Sequence, residues 1–149
     1  APTNFCIGVG AYPEKHFEAP NMSTDIKYLK AKVDAGADYI VTQMFYNNTA
    51  YFKFVDECRA AGIDVPIIPG LKILSTKAHL RVIPKNFYVD IPEELSNQVI
   101  GGPKEEIQKV GINWAINQIQ ELVDAKVPCV HFYIMSSAKS VAKVVSQFK

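Results

Sequence analysis

Short apolar runs alternate with amphipathic segments four times along the chain. Runs of four to seven residues rich in Val, Ile, Tyr and Phe predict strands buried on both faces of a parallel sheet. Because each run precedes a segment of helical periodicity, the pattern predicts consecutive βα units. The four predicted strands are Phe5–Val9, Tyr39–Gln43 with its continuation to Phe45, Val65–Ile68 and Cys129–Ile134.

The first two helices are predicted from apolar residues spaced three or four positions apart. We expect the first to begin at a capping residue, Ser23 or Thr24, and to end at Gly36. The second is expected to be capped by Thr49 and to end at Gly62. The predicted inner faces are Ile26, Leu29 and Val33 in the first helix and Phe52, Val55 and Cys58 in the second.

The chain between the third and fourth strands predicts three further helices. Ser75 or Thr76 opens a short one that Pro84 must terminate, because proline removes a helix hydrogen bond. The irregular segment Lys72–Gly102 is of the kind that often covers a ligand site. Two more helices are predicted before the fourth strand. They are Pro92–Gly101 and Pro103 to about Ala125, and the second has Ile107, Val110, Trp114 and Leu122 on its inner face. A last helix is predicted after the fourth strand, at about Ala138–Phe148.

Two α/β folds are compatible with this pattern. A flavodoxin-like open sheet accommodates four or five strands in 149 residues. A (βα)8 barrel requires about 250 residues, so four units would be half of one. In both folds ligands bind at the carboxyl ends of the strands, so the same residues deserve inspection under either interpretation.

Composition and charge narrow the function classes. The chain is 48% hydrophobic with a formal net charge of +1, which excludes a disordered chain, and we expect residues 1–149 to form a single unit. The balanced charge argues against nucleic-acid or membrane-surface partners, which require a basic excess. No apolar run approaches the roughly 20 residues of a membrane span, and no signal-peptide pattern is visible. We therefore expect a cytoplasmic protein.

The cysteines and the first residue add two further expectations. Cys6, Cys58 and Cys129 are widely spaced among apolar neighbours, which favours three small buried residues in a reducing compartment. The chain begins with Ala1 rather than Met, and a strand is predicted four residues later. This start indicates either a processed chain or a piece of something longer.

Candidate chemistry lies where the predicted strands end. Tyr12 and His16 follow the first strand and are suited to stacking on a ring or hydrogen-bonding to it, although a Tyr and a His in a loop are more often surface residues than ligands. Gln43 either reads the amide edge of a heterocycle or anchors a loop. Alternation places His131 and Tyr133 on one face of the fourth strand. Together these residues favour a planar polar ligand.

Several common motifs are missing. The sequence contains no dinucleotide-binding glycine fingerprint, P-loop or nucleophile elbow, and its three histidines lack metal-ligand spacing. We therefore predict no metal site. Gly70, beside Pro69, either lets a ligand approach the backbone or turns the chain.

Six short stretches of the chain are informative in combination: Ala11–His16, Lys32–Ala37, Thr42–Phe45, Cys58–Ile63, Ile67–Gly70 and His131–Tyr133. In their order and spacing they resemble the methylenetetrahydrofolate reductase family. The resemblance implies a (βα)8 barrel that binds FAD and passes a hydride from NAD(P)H through the flavin to 5,10-methylenetetrahydrofolate, giving 5-methyltetrahydrofolate. It covers only barrel strands five to eight.

The resemblance also assigns flavin-binding residues. Tyr12 and His16 match flavin-contacting positions in the loop after barrel strand five. Asp25 and Lys32 match positions on the following helix that meet the nucleotide part of FAD, where a cation suits a pyrophosphate.

The folate contacts match less completely. Gln43 matches the glutamine that reads the folate pterin, and His79 aligns near a second folate-contacting glutamine. Ile73 stands where the family commonly has proline. Members usually carry Thr-Leu-Asn and a basic residue after the fourth of these strands, but Ile134–Ser137 replaces them here, and the nearest following cation is Lys139.

The family's catalytic groups belong to strands that this chain lacks. The glutamate of barrel strand one and the Arg-Gly-Asp stretch after strand four have no counterpart here, so we assign no catalytic residue and expect the isolated chain to be inactive. The implied partners are a folate substrate and either the N-terminal half of the barrel or a second copy. The alternative is a non-catalytic half-barrel that pairs with itself or with the missing half.

Overall fold

The computed structural model describes residues 4–134 and 137–148 and contains the predicted succession of strands and helices. The strands are β1 (Gly8–Ala11), β2 (Tyr39–Met44), β3 (Ile67–Leu71) and β4 (His131–Phe132). The helices are α1 (Met22–Asp34), α2 (Asn48–Ala60), α3 (His79–Phe87), α4 (Glu93–Gly101), α5 (Lys104–Asp124) and α6 (Lys139–Val145), and a 3-10 turn follows at Ser146–Phe148.

The four strands form one parallel sheet in the order β1-β2-β3-β4. A doubly wound sheet of the flavodoxin type reverses its strand order near the middle. In a (βα)8 barrel each strand instead lies beside the preceding one. The described strands are therefore consistent with part of a barrel and not with the flavodoxin-like alternative.

One face of the sheet lies under the helices. In β2, Ile40, Thr42 and Met44 are buried, whereas Val41 and Gln43 on the opposite face are half-buried. The main core joins Ile40 to α1, α2 and α5, whereas Met44 belongs to a second core. This second core lies beneath the segment after β3 and the helices α3, α4 and α5. Burial in both cores fixes the carboxyl ends of β1–β3, which is the end of the strands at which ligands of parallel α/β folds bind.

Both predicted caps of the first two helices were wrong by a few residues. Asn21 caps α1, its side-chain oxygen accepting from the backbone N–H of Thr24 at 2.9 Å. Asn47 caps α2 in the same way, accepting from Thr49 at 2.9 Å. Asparagine caps as well as serine or threonine does, so a run of cap-forming residues does not determine which one is used.

The predicted helix faces were right only in part. The buried residues of α2 are Tyr51, Phe54 and Cys58, and Phe52 and Val55 are only half-buried because the inner face is rotated by one position. In α5 the predicted Ile107 and Leu122 are buried, but Val110 and Trp114 are half-buried, and the other buried positions are Gly111, Ala115, Gln118 and Ile119.

Strand limits differ from the pattern at β1, β3 and β4. Phe5 is 78% exposed and β1 begins three residues later, at Gly8. Pro69 and Gly70 lie inside β3 instead of ending it. There the pairing of β2 with β3 is irregular, and the hydroxyl of Thr42 accepts from the N–H of Gly70 in place of a regular ladder bond. The regular part of β4 is two residues long.

Pro84 does not terminate the helix that contains it. It lies inside α3, which continues to Phe87 and ends at Tyr88 in the left-handed conformation (φ 55°). Ile83 is buried and Phe87 packs on the same core, so packing on both sides of the proline offsets the hydrogen bond that it removes.

The expectation of three buried cysteines was wrong for two of them. Cys58 is buried in α2, but Cys6 and Cys129 are exposed because β1 and β4 begin after them. Burial raises the pKa of Cys58 to about 12, so this thiol stays protonated and unreactive. Within residues 4–134 and 137–148, no helix is long and apolar enough to cross a membrane.

Candidate functional site

The loop after β1 brings three of the predicted cofactor-binding residues together. The rings of Tyr12 and His16 meet edge to face with centroids 4.5 Å apart. The Tyr12 carbonyl accepts from the N–H of Lys15 at 3.0 Å, which closes a turn. The carboxylate of Asp25, on α1, accepts from the backbone N–H of His16 at 2.7 Å. Asp25 therefore holds the loop that presents the two rings.

Lys32 lies on the last turn of α1, beside the end of β1. Its ammonium group is 3.5 Å from the carbonyl oxygen of Gly10, the residue before the last of the strand. The side chain is exposed and makes no ion pair with any of the described residues. A solvent-facing cation thus flanks the strand end that carries the Tyr12–His16 loop.

Gln43 lies at the end of β2 on the face away from the helices. Its Oε1 atom accepts from the backbone N–H of Met44 at 2.9 Å. Among the described residues its Nε2 atom has no hydrogen-bond partner, so both amide hydrogens remain available. Gln43 and Tyr12 line one small cleft of about 10 Å³, closed on its other side by Phe87–Val89.

The segment after α3 contacts the Tyr12–His16 loop and the residue that follows it, through one hydrogen bond and one aromatic stack. The carboxylate of Glu14 accepts from the backbone N–H of Asp90 at 2.7 Å, and the ring of Phe17 stacks on Tyr88 at 4.4 Å. Burial raises the pKa of Glu14; the hydrogen bond from Asp90 opposes this shift, and the negative charge of Asp90 adds to it. These contacts could not be predicted from the hydrophobic pattern, since it does not relate positions 76 residues apart.

Gly70 is required by the sheet rather than by a ligand. Thr42 is fully buried; its hydroxyl accepts from the N–H of Gly70, and its carbonyl accepts from the hydroxyl of Tyr133, both at 2.9 Å. A Cβ atom at position 70 would lie 2.2 Å from that carbonyl oxygen. The small residue therefore lets the ends of β2, β3 and β4 approach one another.

His79 lines a second and larger cleft, of about 450 Å³, at the carboxyl ends of β3 and β4. Its Nδ1 atom accepts from the backbone N–H of Ser75 at 3.2 Å. Burial lowers the pKa of His79, and the cation of Lys72 lowers it further. Tyr133 also lines this cleft, and its ring meets that of His131 at 4.7 Å, which confirms that these two share a face.

Lys72 is the residue of this cleft that sequence reasoning did not select. Ile68, Gly70 and Lys72 occupy alternate positions, so continuing the strand past Pro69 would have placed Lys72 on one face with them. The strand was predicted to stop at Ile68, and that alternation was lost. Of the segment predicted to follow β4, Met135 and Ser136 lie outside the described residues.

No catalytic acid is apparent in either cleft. Of the residues lining the Tyr12–Gln43 cleft, only Glu14 is a carboxylate, and it is bonded to Asp90. The described part of the chain also contains no group of three side chains that could hold a metal ion. The geometry therefore provides a binding wall of aromatic, amide and cationic groups.

Comparison with known proteins identifies the family. The family model described as methylenetetrahydrofolate reductase matches residues 2–149. Methylenetetrahydrofolate reductase 2 of Saccharomyces cerevisiae is 38% identical over 92% of this chain, which covers 24% of that protein. The 5,10-methylenetetrahydrofolate reductase of Escherichia coli is 37% identical over 91% of this chain and 47% of its own length.

A solved structure has the same fold at low sequence identity. It is an uncharacterized protein from Clostridium thermocellum that binds two copies of 5-methyl-5,6,7,8-tetrahydrofolic acid. The TM-score is 0.69 at 20% identity, over 95% of this chain and 51% of that one. The chain spans about a quarter to a half of the length of the curated relatives named above. With its family model matched from residue 2 to residue 149, the chain belongs to the methylenetetrahydrofolate reductase family.

Proposed function

We propose that this chain forms the flavin- and folate-binding wall of a methylenetetrahydrofolate reductase. The reaction would transfer a hydride from NAD(P)H through FAD to 5,10-methylenetetrahydrofolate. Relatives named for this activity are 34–38% identical over more than nine tenths of the chain. The observation that carries the proposal is that Tyr12 and Gln43 lie side by side at the carboxyl ends of β1 and β2, where they line the same narrow cleft. Ligands of barrel enzymes bind at that end of the strands.

The residues around the end of β1 fit FAD chemically. Tyr12 and His16 offer aromatic and hydrogen-bonding surface suited to a flavin, in a loop held by Asp25. The exposed, unpaired cation of Lys32 suits a pyrophosphate, as a charge-assisted partner. When bound, FAD would supply the hydride-accepting and hydride-donating chemistry, which no side chain of this wall provides.

Gln43 is proposed to read the substrate ring. Its two free amide hydrogens match a heterocycle that presents acceptor atoms along one edge. The structural neighbour that binds 5-methyl-5,6,7,8-tetrahydrofolic acid supports a folate as the ligand of this fold. His79 is proposed as a second substrate contact, from the adjoining cleft.

The wall is proposed to be half of a barrel. We assign its strands to barrel positions five to eight, treat residues 1–149 as one unit and expect the other half, or a second copy, to provide the catalytic acid. Relatives carry names with NADPH in one case and NADH in another, so NAD(P)H is proposed as the hydride source. The names of these relatives do not favour the non-catalytic alternative, and a cytoplasmic location stays a prediction.

Flavin binding tests the proposal. This chain, joined to the N-terminal half of the barrel, should purify with FAD absorbance and should catalyse NAD(P)H–menadione reduction. A Lys32→Ala variant should bind FAD at least tenfold more weakly, because it loses a charge-assisted contact worth ~1.5–3 kcal/mol. The matched control is Lys27→Ala, on the same helix, which should keep FAD affinity unchanged. Absence of flavin from the joined protein would refute the proposed function.

A further inference from the structure

A third cleft lies among the helices, between the segment Tyr46–Asn48, the start of α4 and the middle of α5. We call it the Trp114 cleft, after the aromatic residue of α5 that lines it. It shares no described lining residue with the Tyr12–Gln43 cleft or with the cleft that His79 lines. Its volume of about 380 Å³ is within the range of small-molecule sites.

The side chains that line the Trp114 cleft are acidic or neutral. Glu94, in the first turn of α4, and Glu121, on α5, supply two carboxylates, and no described lysine, arginine or histidine lines the cleft. Neither carboxylate makes an ion pair with any described residue. A concave surface that carries one sign of charge concentrates ions of the opposite sign. The charges of the cleft therefore favour a cation.

A buried amide gives an independent reason to expect a ligand. Gln118 lines the cleft and is only 7% exposed. Its Nε2 atom donates to the Phe45 carbonyl at 3.3 Å and to Oδ1 of Asn48 at 3.2 Å, whereas its Oε1 atom accepts no hydrogen bond from any described residue. That oxygen is not sealed in the core, because the hydroxyl of Tyr46 is the one fully enclosed side-chain polar atom without a partner in the described part of the chain. Since buried amides normally have their partners, Oε1 calls for a donor within the cleft.

Trp114 offers the cleft an aromatic face rather than a donor. Its Nε1–H donates to the carbonyl of Tyr46 at 3.0 Å, which uses the only polar hydrogen of the indole and fixes the ring. The half-buried ring still lines the cleft. Of the aromatic side chains, tryptophan attracts cations most strongly, so the ring adds to the preference for a positive ligand.

The groups that line the cleft select an organic cation of a particular shape. The described residues contain no group of three side chains that could hold a metal ion. Two carboxylates and an amide oxygen need several N–H donors that point in different directions, and an indole face needs a flat partner. A guanidinium group has five N–H donors in one plane and stacks on aromatic rings, whereas an ammonium group has three donors and no flat face.

From this arrangement we infer that the Trp114 cleft binds a guanidinium group. Glu94 and Glu121 balance its charge. Gln118 accepts from one of its N–H groups, and the ring of Trp114 stacks on its plane. The site goes beyond the proposed function, since it uses none of the residues assigned to FAD or folate. A free guanidinium compound and an arginine side chain of a polypeptide both present this group, so both sources are probed.

Isothermal titration calorimetry on the complete reductase carrying this chain tests the inference, without NAD(P)H or folate. The probes are N-acetylarginine amide and N-acetylcitrulline amide, which has nearly the same shape but no charge. The arginine amide should bind at least tenfold more tightly, because charge-assisted hydrogen bonds and the cation–π contact require the positive group. Equal affinities for the two probes, or no binding of the arginine amide, would overturn the inference.

Butylguanidine identifies the source of the group, because it carries guanidinium without a peptide backbone. Binding at least as tight as that of the arginine amide supports a free guanidinium compound. Weaker binding supports an arginine side chain of a polypeptide. Both results support recognition of guanidinium, provided that the neutral citrulline probe remains the weaker ligand.

Two charge-removing variants locate the binding site. Glu121→Gln keeps an oxygen for Nδ2 of Asn48, which donates to Glu121 at 2.7 Å, and Glu94→Gln changes an exposed side chain that bonds to no described residue. Each should weaken binding of the arginine amide about fivefold. The matched control is Glu93→Gln, an exposed neighbour that does not line the cleft, which should keep native affinity. Native affinity in both cleft variants, or an equal loss in Glu93→Gln, would refute the assignment.

Discussion

At the scale of single residues, internal hydrogen bonds determine which polar atoms are left for a ligand. Gln43 uses its oxygen on the backbone of Met44 and keeps its amide hydrogens. Asp25 uses a carboxylate oxygen on the backbone of His16, which gives it a positioning role in addition to any ligand contact. Loss of Gln43 would therefore remove a ligand contact, whereas loss of Asp25 would displace the loop that carries His16.

Replacement of Gln43 tests the contact directly. Gln43→Leu preserves approximate size but removes both amide hydrogens and the oxygen that accepts from Met44. We expect kcat/KM for methylenetetrahydrofolate to fall at least tenfold, since unpaired polar groups on a substrate are penalised strongly. Flavin content and the menadione rate should stay native. A loss of both activities in parallel would instead indicate a structural role for Gln43.

Glu14 gives a pH-dependent prediction. Its pKa is raised above 4.5 in the folded chain, so between 4.5 and that higher value the folded state holds a proton that the unfolded state has released. The free energy of unfolding therefore falls as pH rises through this interval. Glu14→Gln keeps an oxygen for the Asp90 N–H but has no charge, and should reduce that fall. Urea unfolding at a series of pH values measures how the free energy of unfolding changes with pH in each protein.

The matched variant Glu14→Ala separates charge from hydrogen bonding. It removes the charge and also the acceptor for Asp90, so it should be less stable than Glu14→Gln by ~1 kcal/mol. A Glu14→Gln protein whose stability declines with pH as steeply as the native one would show that Glu14 does not carry this dependence.

At the scale of elements, α5 and the segment after β3 approach so closely that only glycine fits. A Cβ atom at Gly111, in the middle of α5, would lie 1.7 Å from the carbonyl oxygen of Leu74. That contact holds the segment leading from Lys72 to His79 against the helix. Packing of α5 thus positions one wall of the larger cleft, which His79 lines.

Gly111→Ala should therefore be strongly destabilising. The backbone has to shift, which typically costs about 1–3 kcal/mol, in spite of alanine's better helix propensity. Gly101→Ala is the matched control, because a Cβ atom at this end of α4 meets nothing within 4 Å. Urea denaturation should show a lower midpoint for the first variant only. Equal midpoints would contradict the close approach of α5 to Leu74.

Periodicity predicted the order of elements correctly but not their limits. Hydrophobic spacing identifies that a helix or strand exists, and β2 and α4 were placed within a residue or two. The ends of β1 and β3 depend on pairing with neighbouring strands, which a local pattern does not contain. The same reason explains why Pro84 was misjudged, since the packing that supports α3 comes from distant residues.

Residues of the candidate site could be predicted from the sequence where they lie at the ends of predicted strands or within family motifs. Tyr12, Gln43 and His79 were selected from positions or motifs, and all three line clefts at the carboxyl ends of strands. The contacts between Glu14 and Asp90 and between Tyr133 and Thr42 join residues 76 and 91 positions apart. No spacing rule along a single chain reports such pairs, so these contacts required the fold.

At the scale of the whole molecule, the sheet is a wall with two edges. β1 and β4 each pair with one strand among the described residues, and Phe5 and Ile7 beside β1 are exposed apolar side chains. Closing a barrel would satisfy the backbone groups of both edges. In the proposed half-barrel, these two edges are where the second half would join the sheet.

The most direct test of the central claim is NAD(P)H oxidation that depends on methylenetetrahydrofolate. It should be measured for this chain joined to the N-terminal half of the barrel and, in parallel, for the chain alone. We expect flavin-dependent turnover that yields 5-methyltetrahydrofolate in the joined protein and none in the isolated chain. A joined protein that folds but oxidises no NAD(P)H in response to the folate would contradict it.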